Sequence, residues 1–385
     1  MFEHELSQLE QKQLIRHLMV VDSSDGTHIT VNGKSILLMC SNDYLGLSHH
    51  PALRLAARQS MEKNGFGSGA SRLVSGTSAL HQELEKRIAF FKGTESALLF
   101  NSGYAANTGI IPAIASTGDV VLSDKLNHAS IIDGCRLSTA EVLVYRHKDL
   151  DHIEQLLQKC RHARRTLIVT DGVFSMDGDI APLPGIVSLA EKYNAVVMVD
   201  DAHATGVLGR TGRGSVEHFG LSGRVHIQMG TLGKSLGSFG AYAAGSRELI
   251  DFLINHARSF IYSTALPSSF CAASLAAINV LEQEPERLEA LWKNRNRFVN
   301  GLKALGIITK DSETPIVPVH IGDSGQALRL AEKLFSFGVY ATAIRPPTVP
   351  SGSARIRTTV TAAHSEEDID VALDVFKRLR QEGCL

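Results

Sequence analysis

Short apolar runs alternate with amphipathic stretches along most of this chain. From about residue 80 the runs fall at 97–100, 120–123, 142–145, 166–170, 195–200, 226–229 and 241–244. Several are bounded by Gly or Asp and rich in Val, Ile and Ala. Such runs predict strands buried on both faces, the signature of a mostly parallel sheet covered by helices on each side. Ahead of them, Leu6, Leu9, Leu14, Ile15 and Leu18 recur at helical spacing and predict an amphipathic helix over 6–19. A short β segment follows at 29–39, with Val31-Asn32-Gly33 as its turn signal.

Beyond Pro285 a charged helical stretch covers 286–305, and a second, smaller alternation begins. It predicts a strand at 316–321, a helix at 326–337, strands at 339–344 and 354–360, and a last helix. Ser365 with Asp368 three residues on is a capping-box start for that helix. The expected fold class is α/β: a large, mostly parallel sheet domain flanked by helices, plus a smaller C-terminal α/β domain. The expected boundaries are 1–45 for an N-terminal helix and β segment, 46–285 for the large domain and 286–385 for the small one.

Composition removes several functions. The chain of 385 residues is 44% hydrophobic and 21% charged, with a net charge of -1. A nearly neutral chain with scattered basic residues gives no footing for nucleic acid or an anionic membrane. The uncharged stretch 259–281 is long enough to span a bilayer. It holds Pro267, Asn279 and five serines, so it reads as a loop and a tightly packed buried helix. Five separated cysteines without a CxxC pair point to reduced thiols and a cytoplasmic setting.

Four local features carry candidate chemistry. Ser102-Gly103-Tyr104 lies between an apolar run and a helical stretch, where free backbone N–H groups can cradle a phosphate; an ordinary turn has the same composition. Asp200-Asp201-Ala202-His203 ends a buried run, and ligands of parallel sheets gather at the carboxyl ends of strands. An aspartate there can hold a pyridine nitrogen in its protonated form; helix capping or metal ligation uses the same residue types. Thr231-Leu232-Gly233-Lys234 puts a lysine directly after a run, among glycines. It is no P-loop, because Gln228 stands where that motif needs its first glycine. A lysine so placed is either a Schiff-base nucleophile or a solvated surface residue. His128, after a run ending near Asp124, can stack on a planar ring or serve structure alone. Gly65-Phe66-Gly67-Ser68-Gly69 lacks the preceding strand and the third glycine of a dinucleotide fingerprint.

Five motifs in this order make the chain resemble the α-oxoamine synthases, fold-type I enzymes of pyridoxal 5′-phosphate (PLP). They are Ser41-Asn42-Asp43-Tyr44-Leu45-Gly46-Leu47, Gly67-Ser68-Gly69-Ala70-Ser71-Arg72, Asp171-Gly172-Val173-Phe174-Ser175-Met176-Asp177-Gly178, Asp200-Asp201-Ala202-His203 and Thr231-Leu232-Gly233-Lys234. Ala70 and Ala204 stand where relatives often carry Gly, without loss of a catalytic group. The segment Ala343-Ile344-Arg345-Pro346-Pro347-Thr348-Val349-Pro350, with Ala354-Arg355-Ile356-Arg357, resembles the branch that joins L-alanine to a pimeloyl thioester for biotin biosynthesis.

The resemblance implies a set of roles. Lys234 carries PLP as a Schiff base and removes the alanine Cα proton. Asp200 pairs with the ring nitrogen, His203 and Ser175 lie near the ring hydroxyl, and His128 stacks on the ring. Gly103, Tyr104 and Thr231 hold the phosphate, with Ser263 and Thr264 supplied by the second subunit of a homodimer. Arg357 takes the amino-acid carboxylate, Thr348 touches substrate, and Arg16 reaches the far carboxylate of the pimeloyl chain. The thioester rides on coenzyme A or acyl carrier protein. Competing readings are a relative that uses glycine with a short acyl-CoA, a plain transaminase, and a catalytically silent protein that keeps the fold.

Overall fold

The computed structural model describes residues 1–309 and 312–385. The chain forms two compact units, one of residues 47–174 and 180–288, the other of 1–46, 175–179 and 289–385.

The first unit is built on seven strands: β1 (Ser96–Phe100), β2 (Val120–Asp124), β3 (Glu141–Tyr145), β4 (Thr166–Asp171), β5 (Val196–Asp200), β6 (Ile227–Thr231) and β7 (Ala241–Gly245). They lie in the order β1-β7-β6-β5-β4-β2-β3. All neighbours are parallel except β7, which runs antiparallel to both β1 and β6. Side chains alternate across a strand, and the core sorts accordingly. Leu167, Val169, Met198, Ile227 and Met229 join one buried cluster, with helices Gly103–Ile114 and Arg247–His256. Leu122, Ile168, Val197 and Val199 join the other, with helices Leu150–Lys159 and Leu183–Tyr193. The expected doubly covered, mostly parallel sheet is therefore present. One strand departs from expectation: β3 is an edge strand that leaves Val142 and Val144 exposed.

The uncharged stretch closes as a helix, Ser268–Gln283, that buries Ser269, Cys271, Ala273, Ser274 and Ala277. Small side chains let it pack closely on helix Pro51–Asn64. Among the described residues no helix is long and apolar enough to cross a membrane.

In the second unit, strands His28–Val31 and Lys34–Leu38 form a hairpin around Asn32 and Gly33. Both turn residues have positive φ (50° and 74°), which a two-residue hairpin turn of this hand requires. The single strand expected at 339–344 divides at buried Ala341. Val339–Tyr340 pairs with Lys34–Leu38, whereas Thr342–Ile344 joins Ala354–Thr359 and Ile316–Gly322 in a three-stranded sheet. The last helix, Glu366–Gln381, carries the expected capping box of Ser365 and Asp368.

The N-terminal helix is shorter than its pattern suggested, spanning Glu3–Gln11 with no buried residue. Leu6 and Leu9 of its apolar stripe stay exposed, and a short helix with little tertiary packing does not propagate. Gln13, at φ 55°, turns the chain away.

Candidate active site

The register of three strands sets the base of the site. Phe100 lies opposite Ala241, and Ala241 opposite Thr231, so the ends of β1 and β6 flank the start of β7. The helix Gly103–Ile114 begins just past β1, capped by Ser102, whose Oγ accepts from Ala105 N at 3.1 Å. A Cβ on Gly103 would stand 2.8 Å from Thr231 Cγ2, so the close approach requires glycine. Thr231 Oγ1 is buried and has no partner among the described residues. Tyr104 leaves its ring exposed and donates its hydroxyl to Asp133.

Two carboxylates end adjacent strands, since Asp171 of β4 pairs in register with Asp200 of β5. Asp200 is buried; Oδ2 accepts from Asn107 Nδ2 at 2.8 Å and Oδ1 from Ala202 N at 2.9 Å. Asp171 accepts from the His128 backbone N–H at 2.7 Å. Burial raises both pKa values, and for Asp171 the neighbouring charge of Asp200 raises it further. The next residue has a different task. Asp201 forms a fully buried ion pair with Lys92 at 3.0 Å and accepts from Ser215 Oγ at 2.5 Å, which locks the loop after β5.

Lys234 sits three residues beyond β6, and its Nζ is 2.8 Å from Nε2 of buried His203. His128 caps the helix Ala129–Leu137, with Nδ1 2.7 Å from Ser130 Oγ. The residue is exposed. Enough protein surrounds it that desolvation lowers its pKa; Asp200 opposes this and the Lys234 charge adds to it. Asn107 also donates to Ser130 at 2.9 Å, which links the capped histidine to Asp200. Thr264 offers its carbonyl to Asn101 Nδ2 at 2.8 Å, and Ser263 lies beside it on a half-buried loop.

The remaining predicted residues belong to the other unit. Arg357 is buried and donates from Nε to the Ser175 carbonyl (2.6 Å), from Nη1 to Thr359 Oγ1 (3.0 Å) and from Nη2 to Asn42 Oδ1 (3.0 Å). Buried Tyr44 lies against it, its pKa pushed up to about 12 by burial despite the guanidinium. Arg355, two residues earlier, is spent on Asp177. Thr348 and Arg16 are exposed.

Gly103, Thr231, Lys234, His203, Asp200 and His128 thus all fall in one unit, at strand ends or helix starts. Asn107, Ser130 and Asp171 complete the constellation; they lie within or beside the sequence motifs, which assigned them no role. The available signal was weak: Asn107 is a buried polar residue in a mostly apolar helix, 93 positions from its partner. Among the described residues no group of three or more His, Cys, Asp or Glu can hold a metal, and the five cysteines are unpaired.

Residues 34–376 match the family described as aminotransferase class I and II. The 8-amino-7-oxononanoate synthase of Geobacter sulfurreducens is 51% identical over 380 residues, covering 98% of this chain and 97% of its own. Among solved structures, SPT with its PLP internal aldimine has a TM-score of 0.95 at 32% identity, covering 100% of this chain and 98% of that one. The 8-amino-7-oxononanoate synthase of Francisella tularensis has a TM-score of 0.78 at 29% identity, over 91% and 99% of the two chains.

Proposed function

We propose, from the premise that this chain belongs to the 8-amino-7-oxononanoate synthases within the class I and II aminotransferase family, how its own residues carry the reaction. It is a PLP-dependent acyltransferase. L-alanine condenses with a pimeloyl thioester on coenzyme A or acyl carrier protein. The alanine Cα loses its proton and bonds to the thioester carbonyl, the thiol leaves, the α-carboxylate departs as CO2, and a proton returns to Cα.

The observation that carries this reading is the Lys234–His203 contact at the carboxyl end of a sheet that also presents Asp200 and the Gly103 cradle. Three features fit PLP. Thr231 has an orphaned hydroxyl, Gly103 leaves the space a Cβ would fill, and buried Asp200 has a raised pKa that a cationic ring N–H would bring down. Bound PLP supplies an electron sink for charge developing at the amino-acid Cα.

The chain's residues do the rest. Gly103 and Tyr104 N–H groups and the Thr231 hydroxyl hold the phosphate, joined by Ser263 and Thr264 from the second subunit of a homodimer. Asp200 accepts from the ring nitrogen, kept in place by Asn107. His203 and Ser175 would hold the ring hydroxyl, and His128 would stack on the ring and donate to the developing oxyanion. Lys234 carries the cofactor and moves the Cα proton at Nζ. Arg357 takes the alanine carboxylate, Thr348 touches substrate and Arg16 meets the distal carboxylate. The setting is the cytoplasm, in keeping with five unpaired cysteines.

The test uses purified holoenzyme with L-alanine and pimeloyl-CoA. The expected result is CO2 and an 8-amino-7-oxononanoate mass, with no detectable turnover in Lys234→Ala. Normal turnover by that variant, or faster reaction of glycine with acetyl-CoA, ends the reading.

A further inference from the structure

His128 has two ring nitrogens, and which of them holds the proton decides what the ring can do. The residue is also the N-cap of helix Ala129–Leu137. As a cap it accepts. The backbone N–H of Ser130 donates to Nδ1 at 3.3 Å, and a nitrogen that takes a backbone N–H carries no proton of its own. The Ser130 side chain meets the same atom, with Oγ 2.7 Å from Nδ1. Since Nδ1 is the acceptor, that hydroxyl is the donor of the pair.

The direction is enforced from the other side. Asn107 lies with Nδ2 2.8 Å from Asp200 Oδ2 and 2.9 Å from Ser130 Oγ. A carboxylate takes only donors, so the amide turns its NH2 toward Asp200, and the second N–H of that group reaches Ser130. The Ser130 oxygen thus accepts from Asn107 and gives its own O–H to His128. Asn107 and Ser130 are both buried, which keeps bulk water from exchanging these partners. Desolvation lowers the His128 pKa, with Lys234 adding to the effect and Asp200 opposing it, so the ring is uncharged at about pH 7.

We infer that Ser130 and Asn107 are positioning residues that hold His128 as the neutral imidazole with its proton on Nε2, which makes the ring a fixed hydrogen-bond donor and denies it a base at Nδ1. The carboxylate proposed to meet the cofactor ring thereby also sets the state of the histidine, through two side chains. The catalytic consequence rests on the proposed condensation; the tautomer does not.

Ring-15N histidine read by NMR gives the tautomer directly in apoenzyme and holoenzyme, the His128 signals being those absent from His128→Phe. At about pH 7 the wild type should show an unprotonated Nδ1 and a protonated Nε2. In Ser130→Ala the Nδ1 signal should move toward that of an acceptor with no hydrogen bond, and Ser130→Thr should restore it. Asn107→Leu should move it the same way. A protonated Nδ1 in the wild type, or an unmoved signal in Ser130→Ala, would overturn the inference without reference to turnover.

The kinetic arm uses L-alanine and pimeloyl-CoA. Ser130→Ala should lower kcat about 10-fold, on the scale of one hydrogen bond, with Ser130→Thr recovering most of it. KM for alanine should stay within about threefold, since the effect falls on the reacting state. His128→Phe keeps an aromatic ring without a donor, so adding Ser130→Ala to it should cost nothing more. A further loss of the same size would mark Ser130 as a prop for the helix start alone, and would overturn the inference. A wild-type enzyme that fails to join alanine to pimeloyl-CoA counts against the proposed function instead, while the NMR result still decides the tautomer.

Discussion

Replacing Thr231 with valine keeps the shape of the side chain and deletes one oxygen. That oxygen is buried and has no partner among the described residues. An unsatisfied buried hydroxyl costs about 1–3 kcal/mol in desolvation, so Thr231→Val should stabilise the apoenzyme. Thr231 closes β6 opposite Ala241, and valine suits a strand at least as well. At about 2–4 °C per kcal/mol the melting temperature should rise by several degrees. Cofactor affinity should move the other way. A hydrogen bond to a charged phosphate is worth about 1.5–3 kcal/mol, which at 1.4 kcal/mol per decade weakens PLP binding about 10- to 150-fold. Thermal melting of apoenzyme and absorbance titration with PLP measure the two quantities separately. A more stable apoprotein that binds PLP less well is the expected pair. Unchanged PLP affinity would refute the assignment of Thr231 to the phosphate, whatever the melt showed.

Other consequences can be measured as directly. Asp171 and Asp200 are protonated more readily in the folded apoenzyme than in the unfolded chain, since both lie above the ordinary value of 3.8. Their contribution to stability is therefore complete below about 3.8 and is lost as pH rises through the raised folded values. A cationic ring against Asp200 removes part of that loss, so the rise in melting temperature on adding PLP should grow as pH climbs above 3.8; a pH-independent increment would contradict it. Lys92→Met leaves Asp201 buried without its cation and should cost about 3–5 kcal/mol. The same variant should retain the PLP absorbance band, because Asp201 is held by Lys92 and Ser215 rather than by a residue of the cradle. Loss of the band in a folded Lys92→Met protein would show that the two aspartates share one task.

Much of the large sheet could be read from the chain because its strands are buried on both faces, which leaves uninterrupted apolar runs. The same logic failed at β3, where Val142 and Val144 are apolar yet exposed on an edge. It failed again at 339–344, where one run feeds two sheets around Ala341. The hairpin at Asn32-Gly33 was legible since backbone sterics alone demand those residues. The site divided along similar lines. Lys234, Asp200 and His203 stand in short motifs next to strand ends. Asn107 and Ser130 carried no assigned role, because what makes them matter is a partner brought close only by the fold. Asn42 was inside a recognised motif, but its contact with Arg357, 315 residues away, has no local trace.

The antiparallel strand β7 has a consequence for the order of assembly. β1 borders the sheet through β7 alone, and β7 is made some 140 residues later. During synthesis the first cradle-bearing segment must wait, unpaired at its edge, until Ala241–Gly245 emerges to bridge it to β6. Such non-local pairing is slow to form. A nascent chain stopped before that strand would already hold Lys234, yet have nowhere to seat a phosphate.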